Sequence, residues 1–198
     1  MTLRVMLISP ATTAALREVR FAGDGPLDGA GVRRARAVAG ALPRADRVLS
    51  GPSARCRETA TELGAQARVA EELGDWDMGR WRGRRLEEVS TSEPEAVSAW
   101  HSDPSAAPHG GESLVALCAR VGGWLDSLDA GRVLAVVEPT VVRAAVVWGL
   151  GLAPEVFWRL DVAPLTLTEL SGRAGRWNLR CGRRLAPEAG SSPTPPLP

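Results

Sequence analysis

The sequence predicts an α/β protein, a three-layer sandwich around a mostly parallel central sheet. Three observations carry this expectation. Short apolar runs recur along the chain, segments of helical spacing alternate with them, and Val133 to Val137 is apolar throughout, as in a strand buried on both faces. The length of 198 residues suits one domain with a substantial core, expected over residues 1–185.

Leu3 to Ile8 reads as the first buried strand, stopped by Ser9-Pro10. A polar loop with the breakers Gly23, Gly25 and Pro26 follows. Asp28 is placed to cap a helix whose face would hold Val32, Ala35, Val38, Ala39 and Leu42. Arg47 to Ser50 is a second short strand, and a helix from about Ser53 to Leu63 ends at Gly64. Glu72 to Gly111 reads as irregular and Trp-rich, with a helix around Glu95 to Trp100 that has Pro94 in its first turn. Glu112-Ser113 opens an amphipathic helix along Leu114, Leu117, Val121, Trp124, Leu125 and Leu128. After the Val133 strand, Pro139 starts a helix, Val141 to Leu150, apolar on nearly every face. Leu165 to Leu170 and Arg176 to Cys181 form a hairpin around Gly172 and Gly175. Residues 186–198 hold five prolines in thirteen residues and are expected to be a disordered tail.

Composition excludes several classes. The net charge is +1, which gives no electrostatic case for nucleic acid or a membrane surface. All 24 basic residues are Arg, even at expected surface positions, which reads as genome composition. Cys56, Cys118 and Cys181 are odd in number and far apart, so neither a disulfide framework nor a metal clip is expected. The opening MTLRVMLISP has too short an apolar run for a secretory signal, and no stretch is long enough to span a bilayer. The expected location is the cytoplasm. The expected partner is a small molecule or a protein, with a homodimer left open, and no cofactor or metal. In a mostly parallel sheet the site forms at the carboxyl ends of strands, here Ser9 to Thr13, Ser50 to Arg55 and Glu138 to Thr140.

The blocks SPATTAALREVRFAGDGPLDGAG, LSGPSARCRETA, GDWDMGRWRG, PHGGESL and VLAVVEPTVVRA occur in that order. Together they closely resemble the histidine phosphatase superfamily, the phosphoglycerate mutase-like proteins, over Leu3 to Leu179. The resemblance implies that family's three-layer fold. It also implies a first strand ending in Arg-His-Gly (or Ala)-Glu-Thr, where His is the phosphoryl-accepting nucleophile and Arg binds phosphate. A second His ends a later strand, a second Arg opens the helix of the Ser-Pro-x-x-Arg block, and an acid protonates the leaving group. Carried over by position, Ser9 stands for the first Arg, Pro10 for the nucleophile, Thr12 for the motif Glu, and Leu16 for an Asn found in many members. Glu138 stands for the second His, with Pro139 and Thr140 in place of the usual Gly pair. Thr13, Arg55, Thr59, Ala60, Gly111, Glu112, Ser113 and Arg143 match, and Asp75 aligns with the acid, one methylene shorter than the usual Glu.

The implied chemistry is missing its reacting atom. A covalent mechanism needs a nucleophilic lone pair, and Pro10 has none. Losing a nucleophile from a cooperating set costs on the order of 10⁶ in kcat. A carboxylate about 4 Å from a bound anion, at an effective dielectric near 20, opposes it by roughly 4 kcal/mol. Pro10 and Pro139 also remove two backbone N–H donors. The expectation is therefore a degenerate member, a pseudoenzyme or binding protein. Its sites would be Glu138 and Asp75 as the chemically active pair, with Arg55, Ser9, Thr13 and His109 contacting a ligand. Two alternatives stand beside it: changed chemistry with Glu138 and Asp75 as acid and base and Arg55 holding substrate, or a weak phosphatase. Glu138 and Arg55 either pair, closing the old site, or face an open pocket. His109 borders the implied pocket, whereas His101 carries no special pattern. Cys56 lacks the Arg six positions later that a thiol phosphatase needs, since position 62 is Glu, and it reads as a packed residue. Trp76 and Trp81 flank the Asp75 loop as candidate cleft walls. The Arg pairs at 33–34 and 84–85 read as solvated faces.

Overall fold

The structure is a computed structural model describing residues 2–13, 20–21, 24–173 and 175–186. Strand β1 is Leu3–Ile8, with all but Arg4 buried. Helix α1, Gly29–Ala37, starts where Asp28 accepts the Gly31 N–H at 2.6 Å. Strand β2, Arg47–Ser50, leads into α2, Ala54–Glu62, capped by the Ser53 hydroxyl. After β3, Arg68–Val69, come the short helices α3, Leu86–Ser92, and α4, Pro94–Ser102. Helix α5, Leu114–Asp126, begins at a Ser113 cap that accepts the Ala116 N–H. Strand β4, Gly131–Val136, runs into α6, Pro139–Gly149, and the chain closes with the hairpin β5, Thr166–Arg173, and β6, Arg176–Arg184.

The six strands lie in the order β3-β2-β4-β1-β5-β6. The first four are mutually parallel, and β5 runs antiparallel to β1 and β6. One face, with Met6, Ile8, Leu134, Val136 and Leu167, packs against Cys56, Ala60 and Leu63 of the α2 segment. The other, with Val5, Leu7, Val133, Ala135 and Leu170, packs against α5 and α6 through Leu117, Val121, Val141 and Ala145. Each fully buried Leu, Val or Ile contributes about 1.5–3 kcal/mol, so this double coverage supplies the main driving force. The three-layer, mostly parallel sandwich is present as expected.

Several boundaries differ. Helix α1 stops at Ala37, so Val38, Ala39 and Leu42 do not extend its face. Gly40 takes a left-handed φ of 84° that ends the helical path, and Val38 and Leu42 pack from the following loop instead. Leu128 also lies beyond the end of α5. The segment expected to be irregular contains α3 as well as α4. Gly172 lies within β5 opposite Trp177 rather than in the turn. Trp148, on the otherwise buried α6, is 41% exposed over Gly122. Gly23, Leu16 and the Pro-rich stretch from residue 187 fall outside the described residues.

Candidate functional site

β1, β2 and β4 end level, because Ile8 pairs with Val136 and Val136 with Ser50. The ladder carries one step further: Gly51 N–H donates to Val136 O and Val137 N–H to Ile8 O, both at 2.9 Å. The residues just beyond, Ser9-Pro10, Pro52-Ser53 and Glu138, therefore emerge side by side. The chain jumps from β1 past the position of β4 to β2, so this is the crevice that a change of strand order opens in an α/β sheet.

Glu138, 2% exposed, precedes Pro139 at the first turn of α6. Its Oε1 accepts from Arg55 Nε at 2.7 Å and from the Ser53 hydroxyl at 2.7 Å, and its Oε2 accepts from Arg55 Nη2. Arg55 and Glu138 thus form a bidentate, almost fully buried ion pair. Of the two arrangements left open by the sequence, the structure takes the pair. Cys56 lies beside it with Sγ 3.6 Å from Glu138 Oε1, and burial first, then the Glu138 charge, pushes its thiol well above the ordinary range. That thiol is a packed group.

Asp75 reaches the same crevice from the other side. Its Oδ1 accepts the Thr140 hydroxyl at 2.5 Å and the Trp76 N–H at 2.8 Å. Burial, reinforced by the Glu138 charge, raises its carboxyl to about 6, while the Thr140 and Trp76 hydrogen bonds and Arg55 pull the other way. The Asp75 loop is clipped from behind by Arg120. That guanidinium donates to Glu112 at 2.9 and 2.8 Å, to the carbonyls of Glu72 and Gly74 at 2.8 and 3.1 Å, and to that of Asp75 at 3.3 Å. Trp76 Nε1 adds a 2.6 Å bond to Glu112 O. Gly111 is required beneath: a Cβ there would lie 2.1 Å from Asp77 O.

A cleft of about 290 Å³ opens between Ser53, Asp75, Trp76 and Glu138. Arg55, Glu138 and Asp75 are brought together here, and the other expected positions are not. The Ser9 hydroxyl turns toward β5, donating to Ala163 O at 2.5 Å and accepting Thr166 N–H at 3.1 Å, as strand alternation predicts. Pro10 and Thr13 are buried in the segment after β1, which Ala11 N–H ties to Thr59 Oγ1 at 3.0 Å. His109 is 1% exposed and packs on Trp81, with Nδ1 accepting Gly111 N–H at 3.0 Å. Burial lowers its pKa, so it is neutral, and it is absent from the cleft wall. Trp76 lines the cleft, while Trp81 is fully buried.

The sequence reading gave no role to Asp24, Ser53, Thr140 or Arg120. Ser53 was legible only as a helix start and Thr140 only as a departure from a Gly pair. No local pattern marks Asp24, whose carboxylate accepts Ala54 N–H at 2.7 Å and so occupies the N-terminus of α2.

The sequence profile of the histidine phosphatase superfamily (branch 1) matches residues 11–183. The chain belongs to that superfamily. A bifunctional protein of Mycobacterium tuberculosis is 30% identical over 181 residues, covering 84% of this chain and 50% of that protein. Phosphoserine phosphatase 1 of Hydrogenobacter thermophilus is 32% identical over 147 residues, 68% of this chain and 69% of the relative. The chain spans about half the length of the first curated relatives it matches. Among solved structures, a putative alpha-ribazole-5'-P phosphatase from Escherichia coli superposes with a TM-score of 0.83 at 22% identity, over 94% of this chain and 98% of that one. This histidine phosphatase fold contains, among the described residues, no helix long and apolar enough to cross a membrane.

Proposed function

We propose that this histidine phosphatase superfamily member has lost His-dependent phosphoryl transfer and works as a binding protein built on the inherited cleft. The observation that carries the reading is the buried Arg55–Glu138 pair. Arg55 is the cation that a phosphate would need, and the Nε–Nη2 edge of its guanidinium is already taken by a carboxylate. Pro10 stands at the position that the family resemblance gives to the nucleophile, and no side chain there can accept a phosphoryl group. The names of the relatives favour phosphate-ester chemistry; the residues at the strand ends here oppose it.

The test is hydrolysis of p-nitrophenyl phosphate and phosphoserine by wild type and Arg55→Ala. The expected result is no turnover above background in either. Turnover in wild type that vanishes in Arg55→Ala contradicts the proposal and restores the weak-phosphatase alternative through Arg55, Asp75 and water.

One observation favours a second reading, an enzyme of changed chemistry using Asp75 and Glu138 as acid and base. Asp75, raised to about 6, is near the value a general base needs at neutral pH. Glu138 and Arg55 are committed to each other, which leaves that reading without Arg55 to hold the substrate.

A further inference from the structure

We propose that the outer edge of β6 is a docking strand for an acidic, extended segment of a partner protein. This surface lies outside the cleft, whose wall shares no residue with β6, and it does not depend on the reading given for the cleft.

A sheet edge offers unpaired backbone N–H and C=O groups, and folded proteins usually blunt it. The two edges of this sheet differ. β3 is cut to two residues, Arg68–Val69, whereas β6 keeps nine, Arg176–Arg184. Arg176 to Arg180 pair in unbroken register with Arg173 to Glu169, and among the described residues no strand lies beyond them. A bulge at Cys181-Gly182, with Gly182 at a left-handed φ of 75°, ends this regular stretch.

The side chains decide what would pair there. Alternation sends Trp177 and Leu179 toward the core and Arg176, Asn178 and Arg180 outward, where all three are exposed. β6 holds four arginines, Arg176, Arg180, Arg183 and Arg184, and no acidic residue, in a chain with a net charge of only +1. None of the four side chains has an ion-pair partner among the described residues. The acid across the ladder from Arg180, Glu169, is held by Arg4 at 3.3 Å. A second copy of β6 would set arginine against arginine, so these charges guard against self-pairing. An acidic strand meets the opposite condition: its carboxylates would face Arg176 and Arg180 while its main chain extends the ladder. Residues 187–198 of the chain do not have this chemistry, with five prolines that lack an N–H and one Glu. A nucleic acid would use the arginines alone, whereas the length kept by β6 offers main-chain groups that only a strand can use.

A notch of about 360 Å³ adjoins the far end of the strand, its wall combining Arg183 and Arg184 with Ala41, Leu42 and Pro43. Those three apolar residues are half-buried, so they present surface that an apolar side chain at the end of a docked segment would cover.

The experiment is fluorescence anisotropy with the whole protein at low salt and a fluorescein-labelled peptide that alternates Val and Glu behind a leading Leu. The comparisons are the same peptide N-methylated at every amide, a Val-Lys peptide, and an oligothymidylate. Saturable binding of the Val-Glu peptide is expected, weakened by added salt. N-methylation, which removes the main-chain donors and keeps the charge, should weaken it by more than about tenfold. The Val-Lys peptide should not bind. Arg176→Glu with Arg180→Glu should weaken binding by about tenfold. Arg57→Glu with Arg68→Glu, the same charge change on exposed residues near the β3 edge, should leave it unchanged. Cys181 is exposed while Cys56 and Cys118 are buried, so bound peptide should slow the reaction of Cys181 with a maleimide. No binding of the Val-Glu peptide, equal binding after N-methylation, or tighter binding of the oligothymidylate overturns the proposal, and these arms use the wild-type protein. Equal binding by the Arg176 and Arg180 double variant, or an unprotected Cys181, overturns it as well.

Discussion

Glu138 and Arg55 illustrate how a buried charge depends on its neighbours. A carboxylate with 2% exposure is tolerated only because a guanidinium and the Ser53 hydroxyl satisfy it. Arg55→Ala strands that charge and is expected to cost about 3–5 kcal/mol in chemical denaturation. The double change Arg55→Met with Glu138→Gln should cost less than Arg55→Ala alone, because no charge is left behind. Asp75 behaves in the opposite sense. Its folded value near 6 lies above the value of about 4 in the unfolded chain, so the folded protein binds the proton more tightly. The charged groups facing it are Glu138, which raises the value, and Arg55, which lowers it. Ionised Asp75 therefore costs stability above pH 6, and the cost disappears as pH falls below 4. Asp75→Asn should raise stability at pH 7.5 by on the order of 1 kcal/mol, seen as a higher melting temperature, and should match wild type near pH 4. A variant less stable at pH 7.5 would contradict this account. At this scale the sequence was informative wherever chemical identity alone decides. A proline inside the chain, its nitrogen locked in a peptide bond, cannot be a nucleophile in any fold, and strand alternation already turned Ser9 away from the cleft. It was uninformative for His109, whose burial against Trp81 depends on a loop packing that no local pattern encodes.

Among elements, the starts were more legible than the ends. Asp28, Ser53, Pro94 and Ser113 announce helices by their caps or first-turn chemistry, and the helices begin there. α1 ends early at a left-handed glycine that periodicity alone passes over, and α3 is a seven-residue helix with one buried side chain, Val89, too short for a periodic pattern. The Arg120 clip was invisible for a different reason, since its partners lie about 45 residues away in sequence on a loop of irregular backbone. Its role is to position Asp75. Arg120→Ala frees three carbonyls and unpairs Glu112, so amide exchange across residues 72–77 should accelerate at least tenfold, with little change in β1 or β4. Unchanged exchange in that loop would show that the loop holds itself. Arg120→Lys should recover only part of the protection, because an ammonium cannot reproduce the fork to Glu112.

The whole molecule separates scaffold from chemistry. Alternating strands and helices, apolar β4 and the ordered family blocks were enough to predict the three-layer sandwich, because double-sided burial of a parallel sheet leaves its mark on composition. The charge sign of the cleft was only half legible. Glu138 and Asp75 could be named from the sequence, but Asp24, Glu71 and Asp77 join them only through the chain path around the crevice. The central proposal is that this protein forms no phosphoryl-enzyme bond. Its most direct measurement is the intact mass of the protein quenched during incubation with p-nitrophenyl phosphate, under conditions that preserve phosphohistidine and phosphoester linkages alike. The account predicts a single species at the unmodified mass. A species heavier by one phosphoryl group, lost on transfer to substrate-free buffer and absent from Arg55→Ala, would contradict it.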